Sequence, residues 1–89
     1  MKLIITENKL YNVFEKYMDS QYDLSYNLKT REFIDKNNET FGWLNSSVFM
    51  YGELSDQINL EGFFGNKTNK MLLIYLKDRF PGCSIYSIE

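Results

Sequence analysis

The sequence predicts an α+β fold, a two-layer sandwich in which two helices lie on one face of a β-sheet. Three features of the 89-residue chain support this prediction. Residues 10–18 repeat apolar side chains at helical spacing, residues 24–28 alternate with the period of a strand, and residues 71–76 form an apolar run rich in helix-favouring residues. The predicted order is strand, helix, three-strand meander, helix, strand, a ferredoxin-like variant with one extra strand in a single domain of residues 1–89.

The first predicted strand leads directly into the first helix. Residues 2–5 form a short apolar strand that stops at Thr6, a natural N-cap because its hydroxyl can accept a backbone N–H. One face of the following helix carries Leu10, Val13, Phe14, Tyr17 and Met18. Polar residues occupy the other face, so the pattern predicts an amphipathic helix that ends near Ser20.

The middle of the chain is predicted to form the meander. The alternation of residues 24–28 slips at residues 31–34, where we expect a bulge or bend. The polar residues 35–39 favour a turn, and a second strand spans residues 41–51, interrupted by the polar residues 45–47. After a second turn at residues 52–56, Ile58, Leu60 and Phe64 share one face of a third predicted strand at residues 58–64.

The last third of the chain predicts a helix followed by a strand. The apolar run of residues 71–76 could be a buried strand, but Met, Leu and Lys favour a helix, and Pro81 and Gly82 then stop it. Asn66 or Thr68 can cap the start of this helix. Residues 84–88 alternate again and form the final predicted strand.

The strand core at residues 48–51 is apolar on both faces, which is the main functional signal. Phe49 and Tyr51 project to one side and Val48 and Met50 to the other, whereas a two-layer fold covers only one side of its sheet. One of these sets should therefore lie on the uncovered face, and exposed aromatic side chains on a sheet mark interaction surfaces. We predict an interaction surface formed by Trp43, Phe49, Tyr51 and Phe63.

Two absences argue against catalysis. The chain has no histidine, which removes the commonest general base and transition-metal ligand, and its single cysteine, Cys83, cannot form an internal disulfide. Acidic residues around the meander turns match no calcium-loop motif and are interpreted as solubilising: Glu32, Asp35, Glu39, Glu53, Asp56 and Glu61. We therefore expect no enzyme activity, no cofactor and no metal, and a cytoplasmic protein without a signal peptide or membrane span.

A single-stranded nucleic-acid binding domain is the alternative, because RNA-recognition domains of similar size stack bases on sheet aromatics. The first predicted strand, however, lacks the aromatic residue of such domains, and residues 48–53 lack the basic, glycine-led start of their third-strand motif. The net charge of −2 also has the wrong sign for phosphate binding. A cationic patch at Lys67, Lys70, Lys77 and Arg79 is interpreted as a solvated helix face. A protein partner or self-association into a homo-oligomer is therefore preferred to nucleic acid.

The opening of the chain, residues 2–10 with the sequence KLIITENKL, resembles short uncharacterised proteins of marine bacteriophages, in which a strand runs through Ile-Thr-Glu into a helix. The resemblance covers about the first ten residues. It implies no activity. It implies that a small acidic protein of this kind acts by binding, either to a host or defence protein or to other copies of itself.

Overall fold

A computed structural model describes residues 7–88 of the chain, with side chains from residue 9 onward. The fold is α+β, as predicted, and it is consistent with a two-layer sandwich. The elements in order are helix α1 at Glu7–Gln21, strands β1 at Ser25–Asn27, β2 at Glu32–Ile34, β3 at Thr40–Asn45 and β4 at Val48–Tyr51, helix α2 at Leu54–Phe64, a 3-10 turn at Gly65–Lys67, helix α3 at Thr68–Arg79, and strand β5 at Ser87–Ile88. The first predicted strand, at residues 2–5, and its Thr6 cap lie outside the described residues.

The five strands form one sheet in sequential order. β1 to β4 pair antiparallel with their neighbours, whereas β5 lies parallel to β4. A parallel partner cannot be reached through a hairpin, so the chain between β4 and β5 must cross over one face of the sheet. The helices α2 and α3 make this crossover.

The third predicted meander strand, at residues 58–64, is wrong, because this segment is helix α2. Leu60 and Phe64 are four residues apart and share a helical face as readily as a strand face. In the helix Leu60 is buried and Ile58 is 59% exposed, so these two residues do not share a face. The meander instead gains two strands: β2 forms where we had expected only a bend, and the predicted strand at residues 41–51 is divided into β3 and β4. The predicted turn at residues 52–56 is also too long, because α2 begins at Leu54.

The first and last helices are confirmed. α1 ends one residue after the predicted Ser20, and α3 covers the apolar run. The predicted cap of α3 by Asn66 or Thr68 is wrong, because the N-cap is Lys67 and no side-chain capping hydrogen bond forms there. Val13, which was predicted on the apolar face of the first helix, is exposed.

The turn at residues 35–39 is also confirmed: the Asp35 carboxylate accepts hydrogen bonds from the backbone N–H groups of Asn37 and Glu39, at 2.9 and 3.0 Å. β5 is shorter than the predicted strand at residues 84–88.

A β-bulge in β3 brings an additional aromatic ring into the core. Phe33 pairs with Gly42 and Ile34 with Thr40, so Phe41 is an extra residue in β3. Phe41 is fully buried, and its ring centroid lies 4.7 Å from that of Tyr22. The bulge therefore places Phe41 on the same side of the sheet as the helices.

One cluster of buried side chains joins the helices to this side of the sheet. It contains the following residues: Phe14, Met18, Phe33, Phe41, Leu44, Phe49, Leu60, Met71, Leu72, Tyr75, Leu76 and Ile85. Edge-to-face ring contacts recur within it, including Phe14 with Tyr75 at 6.2 Å between centroids. The covered face of the sheet is therefore the face that carries Phe33, Leu44 and Phe49.

A polar cluster at the rim of the core joins α1 to α3. Arg79 makes two hydrogen bonds to the Asp19 carboxylate, at 2.6 and 2.7 Å, and its guanidinium lies 4.9 Å from the centre of the Tyr75 ring. The Tyr75 hydroxyl donates to Asp19 at 2.5 Å. The hydrogen bonds from Arg79 hold the pKa of Asp19 below its ordinary value. These groups are paired with one another, so we interpret the cluster as structural.

Candidate functional site

The candidate site is the face of the sheet that points away from the helices. Residues alternate along a strand, so the residues between the buried Phe33, Leu44 and Phe49 point to the opposite side. We define the open face by five of them: Glu32, Ile34, Trp43, Val48 and Met50. Trp43 lies directly across from Glu32 on β2 and from Met50 on β4, at the centre of the face.

The apolar side chains of the open face come from three neighbouring strands, and Trp43 lies directly across from Met50. Ile34, Val48 and Met50 are half-buried, and Trp43 is 38% exposed. Scattered single apolar residues are ordinary on a protein surface, but these four come from neighbouring strands of one sheet. Trp and Met are also among the residues enriched at protein interfaces. The arrangement is typical of a surface that contacts another macromolecule.

An acidic cleft adjoins Trp43 at the end of the sheet where β3 begins and β4 ends. Glu32, Glu39, Thr40, Trp43, Gly52 and Glu53 line this cleft. The Thr40 hydroxyl donates to the Glu32 carboxylate at 3.2 Å, which orients that carboxylate on the open face. A side chain at Gly52 would come within 2.5 Å of the Thr40 carbonyl oxygen, so the strands can approach this closely only with glycine at that position.

Within residues 9–88, the cleft glutamates Glu32, Glu39 and Glu53 take no part in the ion pairs that the structure describes, which join Arg79 to Glu15 and Asp19. Burial raises the pKa of the nearby Asp56, and the charges of Asp35 and Glu53 raise it further, against a hydrogen bond from Tyr22 that lowers it. Glu53 and Asp56 also stand at the N-terminal end of α2, where negative charge stabilises a helix. This end of the molecule is therefore strongly acidic.

No family model, curated protein or solved structure matches this chain.

Of the four aromatic residues predicted as the interaction surface, only Trp43 lies on the open face. The prediction that Phe49 is a surface residue is wrong. Its side chain is 0% exposed, and its ring packs over Gly42 on the helix side of the sheet. Tyr51 is on the same side, half-buried, with its hydroxyl 3.5 Å from the Asn69 side chain. Phe63 is 66% exposed, but it belongs to α2 and its ring lies 5.5 Å from that of Tyr17. The four residues do not form one surface.

The alternation of β4 was correctly read, but the wrong set was assigned to the uncovered side. Val48 and Met50 form the set on the open face, and Ile34 and Glu32 join them from β2, which was not predicted as a strand. A signal was present in the sequence at Gly42. Glycine in a strand leaves room for a bulky side chain from the neighbouring strand, and here that side chain is the Phe49 ring.

Other chemically reactive groups are not assembled into a site in the described part of the chain. Cys83 is half-buried, and burial raises the pKa of its thiol, which keeps it protonated. Within residues 9–88, no group of three or more histidine, cysteine, aspartate or glutamate residues is placed to hold a metal ion. None of the helices described is both long enough and apolar enough to cross a membrane.

Proposed function

We propose that this chain is a non-enzymatic protein-interaction module that binds its partner through the open face. The observation that supports the proposal is the exposed Trp43 on the side of the sheet away from the helices, with the apolar Met50 directly across from it on β4. Burying a Trp ring and its apolar neighbours on association is a common source of binding energy at protein interfaces. The rest of the molecule then serves to hold this surface rigid from behind.

Single-stranded nucleic acid is a weaker candidate for the same surface. Base stacking platforms present several aromatic rings beside a positively charged groove. Here Phe49 and Tyr51 lie on the covered side, so Trp43 is left as the one predicted platform residue on the open face. Glutamate side chains flank it instead of lysine or arginine. Phosphate groups would meet repulsion at this position.

The partner is proposed to be either a second copy of the chain or a foreign protein in a reducing, cytoplasmic compartment. The similarity of residues 2–10 to small bacteriophage proteins supports the same two classes of partner, since it implies binding to a host or defence protein or to other copies.

The decisive variant is Met50→Lys. Its charge would have to be buried against the partner, which costs several kcal/mol if the charge is unpaired, so we expect association to weaken by roughly a hundredfold. The fold should remain intact because the lysine stem can still cover the neighbouring strands. Phe63→Lys is the matched control: it replaces an exposed aromatic residue outside the open face and should leave association unchanged.

Light scattering over a wide dilution range, with circular dichroism to verify folding, measures the effect. A wild-type dimer that Met50→Lys converts to monomer would identify self-association through the open face. If the wild type is monomeric, affinity capture compares the same three proteins, and a foreign partner should be lost only with Met50→Lys. Equal association by the wild type and Met50→Lys would refute the proposal.

A further inference from the structure

We propose that the open face binds a basic segment of a foreign protein and that an arginine of this segment occupies the acidic cleft with its guanidinium against the Trp43 indole. This inference rests on the proposed function, which it makes specific by naming the chemistry of the partner. The supporting observation is that the exposed Trp43 indole lines the same cleft as three glutamate side chains, those of Glu32, Glu39 and Glu53.

The indole and the carboxylates recognise the same chemical group. A cation placed over the face of a Trp ring is attracted by the ring quadrupole, and Trp is the strongest of the aromatic residues in this respect. Carboxylates that line the same cleft can accept the N–H groups that stacking leaves free. A planar guanidinium satisfies both conditions at once, because it stacks through its face and donates through its edge. A lysine ammonium is a more strongly hydrated point charge and fits this combination less well.

The charge of the cleft favours a cationic side chain as its occupant. The volume of the cleft is about 530 Å³, within the range of roughly 300–1,000 Å³ common for binding pockets. The Glu32 carboxylate is already oriented by the Thr40 hydroxyl, so a cation would meet a partly preorganised acceptor. An apolar occupant would instead remove water from the carboxylates without giving them a partner, which is costly.

A second copy of the chain fits the cleft less well than a foreign basic segment. The arginine nearest in sequence to the open face, Arg31, already donates to the Ser46 carbonyl oxygen at 3.3 Å, beside the opposite end of β3. Arg79 is held by Asp19 and Glu15 between α1 and α3. Using either as the docked cation in a homodimer would first require breaking these contacts.

Trp43 is the single tryptophan of the chain, so its fluorescence reports directly on the cleft. The probes are short synthetic peptides of glycine and serine with one central residue between two leucines, where the central residue is arginine, lysine or the uncharged isostere citrulline. We expect saturable quenching or a spectral shift with the arginine peptide, weakening as salt is added because the contact is partly exposed. Citrulline should bind about tenfold more weakly than arginine, with lysine between them.

The double substitution Glu32→Gln and Glu53→Gln keeps the size of both side chains and the hydrogen bond from Thr40. It should weaken binding of the arginine peptide by roughly tenfold. The control pairs Asp78→Asn with Glu61→Gln, which removes the same amount of charge from exposed residues outside the cleft lining and should change binding less than twofold.

Several results would overturn the inference. These are no saturable signal with the arginine peptide, equal affinity for the citrulline peptide, and equal weakening by the control pair. Trp43 fluorescence that changes on dilution without peptide would assign the cleft to a second copy, and tighter binding of a single-stranded oligonucleotide would assign it to nucleic acid. The proposed function fails separately: if Met50→Lys abolishes association while the peptides do not bind, the interaction module stands and the arginine site does not.

Discussion

Replacement of Gly42 by alanine should destabilise the fold more than an added methyl group normally does. The Cβ of the new residue would lie 2.6 Å from Phe49 Cε2, closer still to Phe49 Cζ, and 2.5 Å from the Met50 carbonyl oxygen. Real Cβ atoms do not approach other heavy atoms this closely, so either the ring or the strand must move. Gly42 is therefore the position that admits the Phe49 ring to the covered side of the sheet.

Neither movement is easy. The Phe49 side chain is fully buried, with the rings of Phe33 and Phe41 at 5.6 and 5.7 Å between centroids. The Met50 carbonyl belongs to the backbone of β4, which pairs with β3 from Gly42 to Asn45. Overpacking of a well-filled core costs about 1–3 kcal/mol, and a backbone clash adds to it, so we expect a loss of about 3 kcal/mol in the free energy of unfolding. For a domain of this size that lowers Tm by roughly 10–25 °C.

Urea unfolding followed by circular dichroism measures this loss, and Gly62→Ala is the matched control. Gly62 lies in α2, a Cβ there would meet nothing within 4 Å, and its backbone φ is not positive. Alanine at this position should therefore stabilise the helix by about 0.5–1 kcal/mol. The same chemical change is thus expected to have opposite signs at the two glycines.

The pair of variants also tests which face of the sheet is covered. If Gly42→Ala unfolds at the same urea concentration as the wild type, the Phe49 ring does not lie over Gly42. The assignment of Trp43, Val48 and Met50 to the open face would then be refuted as well. Partial recovery of stability when Phe49→Leu is added to Gly42→Ala would instead identify the ring as the obstacle.

Two further predictions concern polar groups that hold the helices. Thr68 is buried, and its hydroxyl lies within hydrogen-bond distance of the Leu60 and Gly65 carbonyl oxygens. Thr68→Val should therefore lower the free energy of unfolding by about 1–2 kcal/mol, measured by calorimetry or urea, whereas Thr30→Val at an exposed position should lower it by less than about 0.5 kcal/mol. Equal effects of the two substitutions would contradict the buried hydrogen bonds. Asp19→Asn should cost about 1 kcal/mol, a modest amount because the Asp19 side chain is 41% exposed. The folded pKa of Asp19 is lowered, so its contribution to stability is present above the unfolded pKa and is lost as the pH falls through the folded pKa. When unfolding is measured at several acid pH values, the free energy of unfolding should decline less steeply in Asp19→Asn than in the wild type. Parallel declines would disprove the role of the ion pair with Arg79.

The elements that the sequence predicted correctly are those whose signals are local. α1 has one apolar stripe over two turns and more, and α3 combines helix-forming residues with the stop at Pro81 and Gly82. The segment at residues 58–64 failed for a physical reason. Its apolar spacing fits both a strand and a helix, and the choice depends on β5 lying parallel to β4, which requires a crossover that no local pattern encodes.

The sequence predicted that one sheet face is uncovered, but it did not predict which residues lie on that face. The rule that a two-layer fold leaves one sheet face uncovered, applied to a strand that is apolar on both sides, correctly placed one apolar set of β4 on the side away from the helices. Alternation could not show whether Phe49 or Met50 faces the core, because it separates the strand residues into two sets without indicating which set is buried. The acidic cleft could not be predicted from the sequence either. Its residues Glu32, Glu39 and Glu53 are separated in sequence and come together through strand pairing and the adjacent turns.

The amino-acid sequence by itself determined the α+β class, both long helices and the two-sided character of β4, because periodicity and backbone preference act over a few residues. The tertiary structure decided strand order, the helical state of residues 54–64 and the direction of each β4 side chain. These depend on contacts between distant residues, above all on the fit of the Phe49 ring against a glycine in the neighbouring strand. That fit directs Phe49 inward, and the pleat of the strand then places Met50 beside Trp43 on the open face.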